Sequence, residues 1–265
     1  MREILEAILL GIIQGLTEFL PVSSSGHLEI AQNLLGIDNP AKDRLLLIVV
    51  LHFGTVVATI AVFRREIAQI LHRFFSGHPE YLRYVSYIAL SMIPAGFVGV
   101  FFDEEIEALF SGNITLVASM LMVTGIVLWW SDYVQNASKP LSVSAVVMMG
   151  LAQALAIIPG ISRSGATIGT AVLCGVERTQ AAQFSFLMVV PLIIGKMMLD
   201  VGEGAFRHTE LSVGVLAAGF LASFVSGYLA CRWMIQLVRT ARLRYFAWYC
   251  IGLGIIVWIW MLYHS

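Results

Sequence analysis

Two short polar stretches interrupt a chain that is otherwise strongly apolar. The first carries Glu18 and His27 on either side of a serine triplet, and the second carries Arg163 between two serines. A carboxylate, an imidazole, hydroxyl groups and a guanidinium can together bind a phosphate group and move a proton. These residue types therefore indicate a site for a phosphate-bearing ligand.

Arg163 is the strongest of these signals, because a guanidinium stays charged and is costly at membrane depth without a partner. Ser162 and Ser164 flank it and Thr167 follows, at a turn that leads into a predicted helix. Backbone N–H groups of a helix N-terminus, hydroxyl groups and a forked cation make a good phosphate cradle. The alternative is a structural salt bridge between Arg163 and Glu18.

Glu18 and Gln14 form a second candidate group. They are four residues apart, so they share one face of a helix, and Glu18 lies just before Pro21. An acid and an amide oxygen side by side can hold Mg²⁺ or Ca²⁺, since both ions prefer oxygen ligands and commonly bridge to substrate phosphates. The alternative is a hydrogen-bonded pair inside a helical bundle.

Histidine and serine side chains supply the candidate nucleophiles. His27 shares a turn with hydroxyl groups and an acid, which favours a nucleophile or general acid/base, although a lone histidine among apolar residues is more often a core group. Ser23, Ser24 and Ser25 can cap the following half-helix, bind phosphate or supply the nucleophile. His52, in a later apolar span, is interpreted as interfacial or structural.

The two polar stretches are versions of one another. Residues 11–36 lie over residues 150–175 at a constant offset with no gap. Each copy has an apolar run, a proline, a serine-rich turn ending in glycine and a second apolar run. Because proline removes a helix donor and serine and glycine favour turns, each copy is predicted to break into two half-helices around a polar tip. The identical pairs include Gln14/Gln153, Ser23/Ser162, Ser25/Ser164 and Gly26/Gly165.

Composition places the chain in a lipid bilayer. Of its 265 residues, 58% are hydrophobic and 12% are charged, whereas about a quarter of a soluble domain is charged. There is no basic stripe with interleaved aromatics, which argues against nucleic-acid binding. The N-terminus is interpreted as mature protein and not as a signal peptide, because Glu3 and Glu6 occupy the region that should be positive. Apolar spans of roughly 20 residues are predicted at about 45–63, 84–102, 113–130, 182–199, 211–230 and 245–262.

Loop charges predict the orientation of these spans. Arginines cluster in two predicted loops, at 64–83 and 231–244, whereas the acidic loop at 103–112 and the loop at 201–210 contain only Arg207. The positive-inside rule makes the arginine-rich loops cytoplasmic. The second broken segment then starts and ends on the inner side, so it must be re-entrant. If the first is re-entrant too, the halves form an inverted-topology repeat whose tips meet near the midplane; kinked full spans are the alternative.

The predicted fold is therefore an all-α polytopic membrane protein, with six transmembrane helices plus two broken re-entrant helix pairs in an inverted-topology repeat. It is expected to be a single integral membrane domain over residues 1–265, with repeat one at about 1–135 and repeat two at about 140–265.

With these residues in view, the chain resembles the bacterial undecaprenyl-diphosphate phosphatase family, also known through bacitracin resistance. Two motifs carry the resemblance over essentially the whole chain: QGLTEFLPVSSSGH from Gln14 to His27, and PGISRSGAT from Pro159 to Thr167. The resemblance implies a phosphatase that removes one phosphate from the C55 isoprenoid diphosphate carrier and recycles it for cell-wall synthesis. It also implies the bacterial cytoplasmic (inner) membrane, with an active site open to the outer face.

By residue, the resemblance implies a divalent cation, Mg²⁺ or Ca²⁺, near Gln14 and Glu18, and catalysis by His27 with Ser24 as a rival nucleophile. Many relatives carry a glutamate where this chain has Gln14, whose amide cannot act as a base, so Glu18 receives more weight. The partners are the polyprenyl diphosphate lipid and membrane lipids, with a homodimer left open. Diphosphate binding is expected at Ser23, Ser25, Ser162, Arg163, Ser164 and Thr167, and Glu18 and Arg163 also take part in catalysis.

The alternative function belongs to another class. Inverted repeats with broken helices are the architecture of secondary transporters, so the same tips could instead carry a polyprenyl phosphate lipid across the membrane.

Overall fold

The computed structural model describes residues 1–37, 41–109, 113–134, 137–202, 204, 209–240 and 242–264. These residues form twelve helices and, between Lys139 and Val176, one isolated β-bridge. The helices are α1 Arg2–Phe19, α2 Ser24–Leu35, α3 Ala41–Val62, α4 Arg64–Phe75, α5 Pro79–Phe101, α6 Asp103–Leu109, α7 Ile114–Asp132, α8 Val143–Leu155, α9 Arg163–Leu173, α10 Arg178–Gly202, α11 Val213–Thr240 and α12 Arg244–His264.

Six helices are long and apolar enough to cross a membrane, namely α3, α5, α7, α10, α11 and α12. They coincide with the six predicted spans, which confirms the prediction of a polytopic membrane protein. The main difference is at α11, which continues to Thr240, well past the predicted end of its span. The arginine-rich stretch at 231–244 is therefore largely helical and not a loop.

Both broken segments separate into two helices, as predicted. In the first, α1 ends at Phe19 and α2 begins at Ser24; in the second, α8 ends at Leu155 and α9 begins at Arg163. Ser23 caps α2 by accepting from the backbone N–H of Gly26, and Ser162 caps α9 in the same way. The helices differ in length, because α1 has 18 residues and α8 has 13, which is about 27 Å against about 20 Å.

Two further predicted loops are also helical. Residues 64–75 form α4 and residues 103–109 form α6. In α4, apolar side chains recur with helical spacing at Ile67, Ile70, Leu71 and Phe74. The interpretation as a loop rested on its arginines and did not use this periodicity.

The broken pairs pack inside a frame of spans. α1 contacts α2, α3 and α11, whereas α8 contacts α9 and α5; α7 packs against α9 and α12. Glycine permits the closest approach of α1 to α11, since a Cβ on Gly15 would lie 2.5 Å from the backbone nitrogen of Gly227. Gly160, in the second tip, has a positive φ of 97°, and its Cβ would lie 2.4 Å from the carbonyl oxygen of Val117. The two tips themselves approach each other where a Cβ on Gly26 would lie 3.2 Å from the Cα of Gly160.

Candidate active site

Glu18 and Arg163 form an ion pair that joins the two broken segments. Glu18 lies in the last turn of α1, and Arg163 is the first residue of α9. Their side chains are only 6% and 15% exposed. Arg163 also donates to the carbonyl oxygen of Ser185 on α10, at 3.3 Å. A buried acid and a guanidinium in so apolar a chain stabilise each other, and removing either would leave an uncompensated charge.

The other carboxylate oxygen of Glu18 accepts two hydrogen bonds from its own segment. Gln14 donates through Nε2 at 2.9 Å, and the hydroxyl of Ser24 donates at 2.6 Å. Ser24 is the first residue of α2, so the turn between the helices brings its hydroxyl back to the end of α1. A hydroxyl that donates to a buried carboxylate is the arrangement expected of a nucleophile and its general base.

His27 lies on a different side of the tip. Its Nδ1 is 2.7 Å from the carbonyl oxygen of Ser23, and its Nε2 is 2.7 Å from the hydroxyl of Tyr249 on α12. Because a carbonyl oxygen only accepts, Nδ1 carries the proton, and in the neutral ring Nε2 accepts from the tyrosine. The two rings stack with centroids 5.7 Å apart. The nitrogen that would attack a phosphate is thus already engaged.

Two of the other hydroxyl groups predicted to bind the diphosphate join the tips to each other, and a third joins the second tip to α10. Ser164 Oγ donates to the carbonyl oxygen of Leu20 at 3.0 Å, and Ser25 Oγ accepts from the backbone N–H of Gly160 at 3.4 Å. Thr167 bonds to Ser185 Oγ at 2.6 Å. Together with the two capping serines, these side chains are close to the Glu18–Arg163 pair, and their assignment to the diphosphate stays a prediction.

His52 is the main site residue that the sequence reasoning missed. Instead of lying at an interface, its Nε2 faces Glu18 at 3.6 Å from Oε2. Its Nδ1 is 2.8 Å from the carbonyl oxygen of Ile48, one helical turn earlier, which fixes the orientation of the ring. A histidine halfway along an apolar span was the available signal, because ionisable side chains at membrane depth usually have a functional partner.

Two further contacts had no sequence signal. Thr124 on α7 accepts from the backbone N–H of Ser162 at 2.9 Å and donates to the carbonyl oxygen of Gly160 at 3.2 Å, so it fixes the second tip. Tyr249 reaches His27 from the last helix of the chain. Both contacts depend on how distant helices pack.

One oxygen next to Glu18 is available to a divalent cation, which would take most of its ligands from a bound phosphate. Gln14 Oε1 is buried and has no hydrogen-bond partner within the described residues. A cation there would have this oxygen and the Glu18 carboxylate as protein ligands. Among the described residues, no three His, Cys, Asp or Glu side chains form a metal-binding group. A cation bound there would therefore need oxygen ligands from the substrate.

Six apolar spans around two broken helix pairs, with a buried acid, guanidinium and hydroxyl where the pairs meet, define an integral membrane protein with a polar reaction or transport site in its interior. The family model described as Bacitracin resistance protein BacA matches residues 7–256. The chain belongs to this family, which confirms the resemblance carried by the two motifs.

Curated relatives cover nearly the whole chain. A protein of Christiangramia forsetii is 47% identical, with 96% of each chain covered. A protein of Bacteroides fragilis is 44% identical over 95% of this chain and 96% of its own. A protein of Methanobrevibacter smithii is 39% identical over 99% of both chains. All three are named undecaprenyl-diphosphatase.

Proposed function

We propose that this protein is a membrane phosphatase that hydrolyses undecaprenyl diphosphate to undecaprenyl phosphate and inorganic phosphate, which recycles the lipid carrier for cell-wall synthesis. The family and the name shared by its relatives support this function. The observation that carries the chemistry is the hydroxyl of Ser24, which donates to Glu18 at 2.6 Å while Arg163 holds the other carboxylate oxygen.

Ser24 is the nucleophile in this proposal, and Glu18 is the general base. Ser24 Oγ forms a bond to the terminal phosphorus while its proton passes to the Glu18 carboxylate. The bond from that phosphorus to the bridging oxygen breaks, and undecaprenyl phosphate leaves. A water oxygen then forms a bond to the phosphorus while the bond from the phosphorus to the serine oxygen breaks. Ser24 takes back the proton held by Glu18, and inorganic phosphate leaves with both protons of the water. His27 is less suited to attack, because Tyr249 already occupies its Nε2.

Arg163 stabilises the charge of the transferring phosphate. A guanidinium has five N–H donors, and its contacts to Glu18 and Ser185 leave others free to point at phosphate oxygens. Donors fixed in advance in an apolar interior are worth more than donors in water, since no solvent must reorganise during the reaction.

A divalent cation, Mg²⁺ or Ca²⁺, is part of the proposal. Gln14 Oε1 and Glu18 would hold it beside the diphosphate. When bound, it would neutralise phosphate charge, and the buried amide oxygen of Gln14 would gain the partner that it lacks.

The membrane topology belongs to the same proposal. α1 packs against α2 and α8 against α9, which supports re-entrant hairpins over kinked full spans. With the arginine-rich segments in the cytoplasm, the two halves have opposite orientations and form an inverted repeat. The site would open to the outer face of the bacterial inner membrane. The repeat boundaries and a homodimer remain predictions.

The test is release of inorganic phosphate from a polyprenyl diphosphate by the detergent-purified protein, with and without a divalent-metal chelator. Hydrolysis needs no second compartment, so the phosphatase should work in detergent and should lose activity with the chelator. A folded protein that binds the lipid but releases no phosphate would contradict the proposal and would favour the transporter.

A further inference from the structure

Helix α4 lies along one boundary of the membrane. It begins at Arg64, directly after the span α3 ends at Val62, and it ends at Phe75, shortly before the span α5 begins at Pro79. The end of one span and the start of the next lie at the same membrane face. A helix of 12 residues, about 18 Å long, that joins them must run close to the membrane surface.

One side of α4 is docked on the protein. Ile67 and Ile70 pack against the largest hydrophobic core. Gln69 donates through Nε2 to the hydroxyl of Tyr81 on α5 at 2.7 Å. These contacts fix the rotation of the helix about its own axis, so the direction of its other side chains follows from the helical period.

Next to this docked edge, α4 exposes large apolar side chains. Leu71 is 49% exposed and Phe75 is 81% exposed. At about 100° per residue these two positions lie roughly 40° apart. Leu71 is about 40° and Phe75 about 80° from the docked Ile67, whereas Leu71 is about 160° from Gln69. The apolar surface of the helix therefore continues from the docked edge to an edge that the described residues only partly cover, and polar side chains occupy the far side. This pattern is typical of helices that lie in a membrane interface.

Two arginines at the start of α4 are without partners. Arg64 and Arg65 are both exposed, and neither has a hydrogen bond or ion pair within the described ranges. Arg73, by contrast, donates to Nε2 of His78 at 2.6 Å. Long arginine side chains can extend from an interfacial helix so that their charged ends reach lipid headgroups. Their charge complements an anionic leaflet.

We propose that α4 is a lipid-binding helix of the cytoplasmic leaflet. Leu71 and Phe75 enter the boundary between headgroups and acyl chains, and Arg64 and Arg65 bind anionic headgroups. The partner of this helix is the lipid surface itself. The helix α4 connects two membrane spans directly, and it has both exposed apolar side chains and arginines without a partner in the described residues. This inference does not depend on the phosphatase activity, and either can fail without the other.

The first test measures depth. Leu71→Cys, Phe75→Cys and Gln69→Cys are each spin-labelled in the full-length protein, reconstituted in vesicles of mixed phosphatidylcholine and phosphatidylglycerol. Unsubstituted protein sets the background from the native cysteines, of which Cys231 and Cys250 are buried. Labels at 71 and 75 should collide more with lipid-soluble oxygen than with a water-soluble nickel reagent, and the label at 69 should show the reverse. Equal nickel accessibility at all three positions would overturn the proposal.

The second test measures headgroup preference. The enrichment of spin-labelled phosphatidylglycerol over phosphatidylcholine around the protein is compared for the unsubstituted chain, R64Q/R65Q and R64K/R65K. Each neutralised arginine should lower the affinity of the α4 site for anionic lipid by up to about fivefold, while the lysine pair keeps most of it. An unchanged enrichment in R64Q/R65Q would contradict the headgroup contact. Labels at 71 and 75 immobilised only at high protein-to-lipid ratio would assign this edge to a second copy of the chain and also overturn the proposal.

Discussion

The two broken segments of this protein share a local fold but not a chemistry. In each, a serine caps the second helix, at 3.2 Å in the first segment and 3.0 Å in the second. At the same offset, however, Glu18 corresponds to Ile157, and Ser24 corresponds to Arg163. The repeat has kept the residues that form the turn, while each reactive side chain occurs in only one copy.

The same holds for the histidines. His27 corresponds to Ala166, and His52 lies in α3, the span that follows the first segment. The acid, the hydroxyl that contacts it and both histidines therefore belong to the first half, and the second half contributes the guanidinium. In the proposed mechanism neither segment alone binds the phosphate and activates the nucleophile, so that mechanism depends on the contact between the tips.

The largest effect is expected when the proposed nucleophile of the first segment is replaced. Ser24→Ala should lower the rate of phosphate release by more than about 10³, since no other described hydroxyl donates to Glu18. Ser25→Ala is the matched control on the same tip, because Ser25 contacts Gly160 and not Glu18. This variant should lower the rate of phosphate release only a few-fold. Single-turnover assays in detergent measure the rate of the chemical step in both variants. A large loss of rate in His27→Ala with little loss of rate in Ser24→Ala would show that His27 is the nucleophile.

The contribution of the second segment is tested at Arg163. Arg163→Ala should lower kcat/KM on the order of 10² to 10³, the size of losing one preorganised charge-stabilising group. Arg163→Lys keeps the charge but loses the forked geometry, so it should recover only part of the rate. Thermal unfolding must accompany the assay, because Arg163→Ala leaves Glu18 buried without its partner. Near-normal activity in a folded Arg163→Ala protein would show that Arg163 does not stabilise the transferring phosphate.

Much of this arrangement could be predicted from the chain. The six spans and both breaks follow from hydropathy and from proline and serine–glycine turns. The pairing of Arg163 with Glu18 was available from the cost of an unpaired charge, as the alternative to a phosphate cradle. α4 was missed because the interpretation counted arginines in a loop and not apolar residues at helical spacing.

The remaining site contacts could not be predicted, because they depend on rotation and depth of packed helices. Ser24, and not Ser23 or Ser25, faces Glu18 because the cap at Ser23 fixes where α2 starts. Tyr249 meets His27 across 222 residues of sequence, and no local pattern encodes that distance.

A smaller effect is expected at His52, which acts through Glu18. His52→Leu should lower kcat roughly tenfold with KM nearly unchanged, since it removes one of the groups that orient the carboxylate. His52→Gln retains a polar side chain of similar reach and should recover most of the rate. Steady-state kinetics on both variants give the measurement. If leucine and glutamine have equal effects, the imidazole fills space and does not position the acid.

The smallest expected effect distinguishes Gln14 from Gln153, which occupy the same position in the two broken segments. Gln14 donates to Glu18, whereas both side-chain amide atoms of Gln153 are buried with no partner among the described residues. Replacing an unsatisfied buried amide by an apolar group of similar shape is neutral or stabilising, by about 1 kcal/mol. Gln153→Met should therefore leave phosphate release unchanged and keep or raise the thermal midpoint in detergent, while Gln14→Met should raise the cation concentration needed for half-maximal rate. A lower midpoint for Gln153→Met would mean that its amide has a structural partner, such as a buried water. The glutamine of the second segment would then serve folding, in contrast to the role in cation binding proposed for Gln14.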